Sequence, residues 1–159
     1  MCKVYTLYKC AHTLNGLNIP VIPRILYLLI RIFFGGHVPY TAKIGAGTSF
    51  GCGALGVVLH PKTVIGENCV IAQNVTIGGR ANFQDVPKIG NNVFIGAGAK
   101  ILGPIQIGDD VKIGANAVVI DDVPANSTVV GIPARVVATS ERKRDSAHPE
   151  KTPTMLESV

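Results

Sequence analysis

Ile89–Val119 reads IGNNVFIGAGAKILGPIQIGDDVKIGANAVV, and an aliphatic residue returns at every sixth position: Ile89, Ile95, Ile101, Ile107, Ile113 and Val119. The same phase runs upstream through Ile65, Ile71 and Ile77. The next residue is usually small, as at Gly66, Ala72, Gly78, Gly90, Gly96, Gly108 and Gly114. The residue four after is small or β-branched, as at Cys69, Val75, Val93, Ala99, Val111, Ala117 and Val123. A period of six fits neither an α-helix nor the alternation of a hairpin ladder. It fits a coil with three flat sides, one hexad per side and about eighteen residues per turn, the aliphatic residue pointing inward. The expected fold is therefore an all-β solenoid, a parallel β-helix of hexapeptide repeats with short helices before it.

Working outward, the inward series starts at Val38, Ile44 and Phe50, slips at Gly56-Val57-Val58, and resumes at Leu59. Between Ile77 and Ile89 the segment Gly78–Lys88 (GGRANFQDVPK) breaks the hexad chemistry and is expected to bulge as a loop. Gly131–Arg135 is expected to close the solenoid. The chain thus divides into a helical segment at 1–36, a β-helix at 37–138, and a polar, Pro-containing, aperiodic tail at 139–159 expected to be disordered.

Residues 1–19 read as a short helix with Val4, Leu7, Tyr8, Ala11 and Leu14 at helical spacing, stopping near Asn15-Gly16. Pro20 and Pro23 open a second helix, about Arg24–Phe34, apolar on most sides and ending at Gly35-Gly36. It is too short to span a bilayer, and Arg24 and Arg31 interrupt it. Two readings stay open: it packs on the β-helix or a neighbouring subunit, or residues 24–34 lie in a membrane interface with the arginines at headgroups.

Composition agrees with a solenoid: 47% apolar, only 16% charged, and 18 glycines. The flat sides of such a stack are natural sites of self-association. The formal charge is +5, and residues 1–36 carry Lys3, Lys9, Arg24 and Arg31 with no acid. That balance suits an anionic small molecule or an acidic lipid surface. No basic patch interleaved with aromatics points to nucleic acid. Cys2, Cys10, Cys52 and Cys69 have no metal or disulfide-framework spacing. Cys69 falls on a small inward position. The N-terminus lacks the order of a signal peptide, so a reducing cytoplasm is the expected setting.

Residues eighteen apart should lie one coil above another, about 4.8 Å apart. After the slip, that count stacks Val38, Leu59, Ile77, Ile95 and Ile113 at one corner. Beside them run outward residues: His37 and His60, then Gly78-Gly79, Gly96-Ala97 and Gly114-Ala115. The expectation is one edge with two histidines at its end and a smooth track beyond, along which an extended thioester arm could lie, with Lys100 and Lys112 near its phosphates. Glycine is also what a tight corner wants, so the histidine carries the functional weight. Imidazole can take a proton from an acceptor hydroxyl, and the Gly79 amide could donate to an oxyanion. His60 is thus the candidate general base and His37 its partner or an acceptor-binding group. Cys52 has no adjoining base and reads as a packed or bystander thiol. His12 and His148 lie outside the solenoid and are set aside.

The stretches Val64–Gly79 (VIGENCVIAQNVTIGG), Pro87–Gly103 (PKIGNNVFIGAGAKILG) and Ile113–Arg135 (IGANAVVIDDVPANSTVVGIPAR) resemble the serine acetyltransferase family, especially its short members found with polysaccharide genes. The resemblance covers about Pro20–Val137. It implies a left-handed helix, a homotrimer and acetyl-CoA as co-substrate, without a metal. It places the co-substrate between neighbouring subunits, on Gly79, Ala97 and Ala115, with Lys112 near the nucleotide. There are departures. The family's Asp-His pair falls on Gly51-Cys52 or Cys52-Gly53, its second histidine on Val86, and an aspartate that helps hold serine on about His37. Its large N-terminal helical domain is replaced by residues 1–36. Short members instead carry a histidine in the context Val57-Val58-Leu59-His60-Pro61.

The leading expectation is an acetyl-CoA-dependent O-acetyltransferase acting on a hydroxyl of a sugar or polysaccharide precursor, cytoplasmic and at the inner face of the membrane. The alternatives are a serine O-acetyltransferase of cysteine biosynthesis and a non-catalytic trimeric scaffold. A metal-dependent hydratase of the same architecture needs three histidine ligands, which His37 and His60 do not supply.

Overall fold

The computed structural model describes residues 3–17, 21–81 and 83–139. Two helices come first, α1 (Lys3–Gly16) and α2 (Val21–Phe34). α2 begins before the expected Arg24, because Pro23 still falls in the first turn, where a missing N–H is not needed. Gly35 ends it with a left-handed φ of 64°. The next residue, Gly36, has no room for a side chain, since a Cβ there would stand 2.6 Å from the Ala54 carbonyl oxygen.

The strands are short and follow the hexads. They are β1 (Lys43–Ile44), β2 (Ser49–Phe50), β3 (Val58–Leu59), β4 (Val64–Ile65) and β5 (Val70–Ile71). Next come β6 (Thr76–Gly78), β7 (Lys88–Ile89), β8 (Phe94–Ile95), β9 (Lys100–Leu102) and β10 (Gln106–Ile107). The last are β11 (Lys112–Ile113), β12 (Val118–Val119), β13 (Ser127–Gly131) and β14 (Ala134–Thr139). They stack into three parallel sheets, β1-β4-β7-β10, β2-β5-β8-β11-β13 and β3-β6-β9-β12. The core is the column of aliphatic side chains between them, with Leu59, Ile71, Ile77, Ile95, Ile101 and Ile113 fully buried. Cys69 is buried among them, as its hexad position requires.

Two of the three corners turn through a left-handed residue. One carries Gly47, Asn68, Asn92, Asp110 and Asn126, and the other Gly56, Asn74, Gly98 and Asn116, all with positive φ. Asparagine and aspartate adopt this conformation at low cost. The third corner, between the β3-β6-β9-β12 sheet and the β1-β4-β7-β10 sheet, carries His60-Pro61-Lys62, the 79–87 loop and Gly103-Pro104. Its chain path is the least uniform of the three, and that is where the sequence departs most from the repeat.

Three expectations need correction. The slip is absorbed earlier than Gly56, in a 3-10 turn at Gly51–Ala54, where Cys52, Gly53 and Ala54 all take positive φ. The stacking column is also different. Leu59 pairs with Ile77, but Ile77 pairs with Ile101, whereas Ile95 and Ile113 stack on Ile71. The 79–87 loop occupies one corner, so the coil that holds it is longer by a hexad than an uninterrupted count allows. Finally, Gly131–Arg135 does not end the fold: it turns β13 into the antiparallel β14, which closes the β2-β5-β8-β11-β13 sheet. The expectation of disorder over 139–159 lies, from residue 140, outside the described residues.

Candidate active site

His37 and His60 do share one outward face. His37 forms a parallel bridge with Val58, and its carbonyl accepts from the Leu59 amide at 2.9 Å. His60 follows two residues after Val58, so the histidines are diagonal neighbours, on the order of 8 Å apart at the backbone. The His60 amide donates to the Ile77 carbonyl at 2.9 Å, which sets it directly beneath Gly78.

The half-buried His60 ring is held at one nitrogen. The Lys62 amide donates to Nδ1 at 3.1 Å. An acceptor Nδ1 means that the neutral ring carries its proton on Nε2. As it stands, His60 presents an N–H to an incoming group. Proton abstraction by Nε2 requires the ring to leave the Lys62 amide.

His37 has a partner that the sequence did not reveal. Tyr27 Oη of α2 lies 2.6 Å from His37 Nδ1, and the rings meet edge to face at 5.4 Å. Arg31, one turn on, donates to the same Tyr27 oxygen at 3.1 Å. Burial, and secondly the Arg31 charge, hold the His37 imidazole below its usual value, which favours the neutral ring. The signal was legible in principle, since Tyr27 and Arg31 are spaced four apart on a helix, but their reach to His37 depends on how α2 docks.

The glycines above His60 differ from those at the regular corners. A Cβ on Gly96 would meet the Ala115 nitrogen at 2.6 Å, and one on Gly66 the Gly90 oxygen at 2.5 Å. Those glycines are demanded by coil-on-coil packing. A Cβ on Gly78 or Gly79 would meet nothing within 4 Å, and neither has a positive φ. Nothing among the described residues requires glycine there, and they leave the surface over His60 open.

The single track does not hold. Ala97 and Ala115 are stacked, with the Asn116 amide donating to the Ala97 carbonyl at 2.8 Å. They line the corner where the β2-β5-β8-β11-β13 sheet passes into the β3-β6-β9-β12 sheet, above Cys52. Gly79 lies on the opposite edge of the latter sheet, because the hexad of the 79–87 loop shifts the phase. Lys112 sits on the outward face of β11 between Phe94 and Thr128, adjoining the Ala97–Ala115 edge. Lys100 shares the column of Thr76 and Val58, but its ammonium is spent on the Gly98 and Asn74 carbonyls, at 2.8 and 3.2 Å. Cys52 is exposed. His12 is tied to the Tyr40 carbonyl at 2.7 Å. Among the described residues no cluster of three or more His, Cys, Asp or Glu side chains is placed to hold a metal ion.

Residues 87–121 match the bacterial transferase hexapeptide (six repeats) family. A serine acetyltransferase of Helicobacter pylori (strain J99) is 44% identical over 132 residues, covering 82% of this chain and 77% of that protein. A serine acetyltransferase of Synechococcus elongatus is 42% identical over 135 residues, covering 84% of this chain and 55% of that protein. Among solved structures, the serine acetyltransferase of Brucella abortus strain S19 in complex with coenzyme A superposes with a TM-score of 0.80 at 34% identity, over 86% of this chain and 55% of that one. The chain therefore spans little more than half the length of the latter two proteins.

Proposed function

Since the chain belongs to the serine acetyltransferase family, we propose that it transfers an acetyl group from acetyl-CoA to a hydroxyl. The observation that carries this reading is His60 beneath the unobstructed Gly78–Gly79 surface. The acceptor oxygen attacks the thioester carbonyl, its proton passes to a base, the tetrahedral intermediate collapses, and the coenzyme A thiolate leaves and is protonated. His60 is the base once its ring turns from the Lys62 amide. The Gly79 amide serves the developing oxyanion. The neutral His37, held by Tyr27, orients the acceptor.

The two edges that the family resemblance assigns to the co-substrate lie on opposite sides of one sheet. A trimer would bring the His60–Gly79 edge of one protomer against the Ala97–Ala115–Lys112 edge of the next. We therefore infer a homotrimer with its sites between subunits.

The relatives' names point to serine as acceptor, and serine is the first reading. One observation favours a second, a saccharide hydroxyl. Among the described residues neither histidine is paired to a carboxylate, and no Asp or Glu precedes Glu67 in the sequence. A substrate ammonium finds no counter-charge in the first coil, whereas a neutral saccharide needs none. Thiol release from acetyl-CoA with serine, simple sugars and capsular oligosaccharides separates the readings. Turnover confined to serine supports the first, and turnover confined to saccharides the second. Coenzyme A binding with no turnover on any hydroxyl contradicts both and leaves a scaffold.

A further inference from the structure

Helix α2 uses little of its surface to hold the fold. Pro23 and Ile30 are its buried residues. Val21, Ile25, Leu28, Leu29, Ile32 and Phe33 are all exposed, the last two at 72% and 75%. At the angular spacing of an α-helix, these residues fall in one arc of about 140°, and Pro23 and Ile30 lie outside it. Arg24 and Arg31 stand side by side along one border of that arc. This is the arrangement of a helix whose apolar face looks away from its own protein with cations at the margin.

Charge says what covers the face. The helices and the first coil carry Lys3, Lys9, Arg24, Arg31, Lys43 and Lys62, and the first carboxylate of the chain is Glu67. Every Asp and Glu falls at or beyond that residue, in later coils or further on. Among the described residues, the helical end of the solenoid is thus uniformly cationic. A second copy's identical end would bring the same cations without a carboxylate to meet them. A negatively charged headgroup layer complements both the charge and the apolar arc. The helix is about 21 Å long, short of the roughly 30 Å hydrocarbon core, and no described helix is long and apolar enough to cross a membrane.

We propose that the outward face of α2 seats this protein on an anionic lipid surface, the helix lying in the interface plane. Tyr27, on the opposite side of the same helix, touches His37, so the histidine edge lies across the helix from the lipid, about 10 Å away. This proposal does not depend on the transferase reading.

The test is vesicle flotation of the full chain, with about 30 mol% phosphatidylglycerol in phosphatidylcholine against pure phosphatidylcholine. Wild type should partition roughly tenfold or more into the anionic vesicles, less so as salt rises. Ile25→Asp/Ile32→Asp should lose roughly tenfold or more of that binding, and Lys9→Gln/Arg24→Gln should lose the preference for anionic lipid. Circular dichroism of each variant confirms that it folds. Failure of wild type to float, or equal flotation of the Ile25→Asp/Ile32→Asp variant, overturns the proposal. So does a wild-type assembly, seen by light scattering, that this variant splits while neither binds vesicles, because the face then belongs to a second copy.

Discussion

Tyr27 Oη lies 2.6 Å from His37 Nδ1, joining the second helix to the first coil across the candidate site. Burial and the Arg31 charge both disfavour the imidazolium, so His37 should titrate below the ordinary histidine value of about 6.5. The unfolded chain then binds the proton more readily than the folded one. This contribution to stability is present above about pH 6.5 and is lost as pH falls through the folded value. Arg31→Gln should move the His37 midpoint upward in an NMR titration of the imidazole. A midpoint above 6.5 in the wild type, or no movement in the variant, contradicts the assignment.

The open and packed glycines predict opposite phenotypes. Gly79→Ala should leave thermal stability within about 0.5 kcal/mol of wild type, as for a surface change that meets nothing. It should nevertheless weaken acetyl-CoA use, read as a fall in kcat/KM. Gly96→Ala should cost about 1–3 kcal/mol, because its Cβ falls 2.6 Å from backbone. Equal stability losses in denaturant titrations of the two variants would remove the distinction.

Two buried hydroxyls should also diverge. Tyr8 donates to the Ala42 carbonyl at 2.6 Å and accepts from the Ile44 amide at 3.1 Å, pinning α1 to the first coil. Burial pushes its pKa up to about 12. Tyr8→Phe strands that carbonyl and should cost about 1–3 kcal/mol. Among the described residues Thr63 Oγ1 is buried without a hydrogen-bond partner, so Thr63→Val should be neutral or stabilising by up to about 1 kcal/mol. Urea midpoints of both variants check this, and a destabilised Thr63→Val would show that the hydroxyl has a partner after all.

The coil was legible because each hexad carries its own instruction: an aliphatic residue to bury and a small one to turn. Leu59, Ile77, Ile95 and Ile113 are all inward, as their period demands. Which coil each meets was not legible past Gly78, because a loop changes phase without announcing how many residues it consumes. Hence the position of His60 under Gly78 was readable, lying before the loop, while the separation of Ala97 and Ala115 from the Gly79 edge was not. The corner asparagines Asn68, Asn74, Asn92 and Asn116 could have marked the turns, since asparagine is one of the few residues at ease in the left-handed region. The Tyr27–His37 contact needed the docking of α2, which rests on the buried Pro23 and Ile30 with Phe34 packed against the core, and leaves no periodic trace in the solenoid.

The most direct test of the central claim is the rate of thiol release from acetyl-CoA, with whichever hydroxyl acceptor supports turnover, in wild type, His60→Ala and His60→Gln. Glutamine can replace the N–H that the resting ring presents but cannot take up a proton. Both variants are predicted to lose roughly 10²–10⁴-fold in rate while still binding coenzyme A. Turnover that survives in His60→Ala would contradict the account outright, and turnover that survives in His60→Gln alone would make His60 a donor rather than the base.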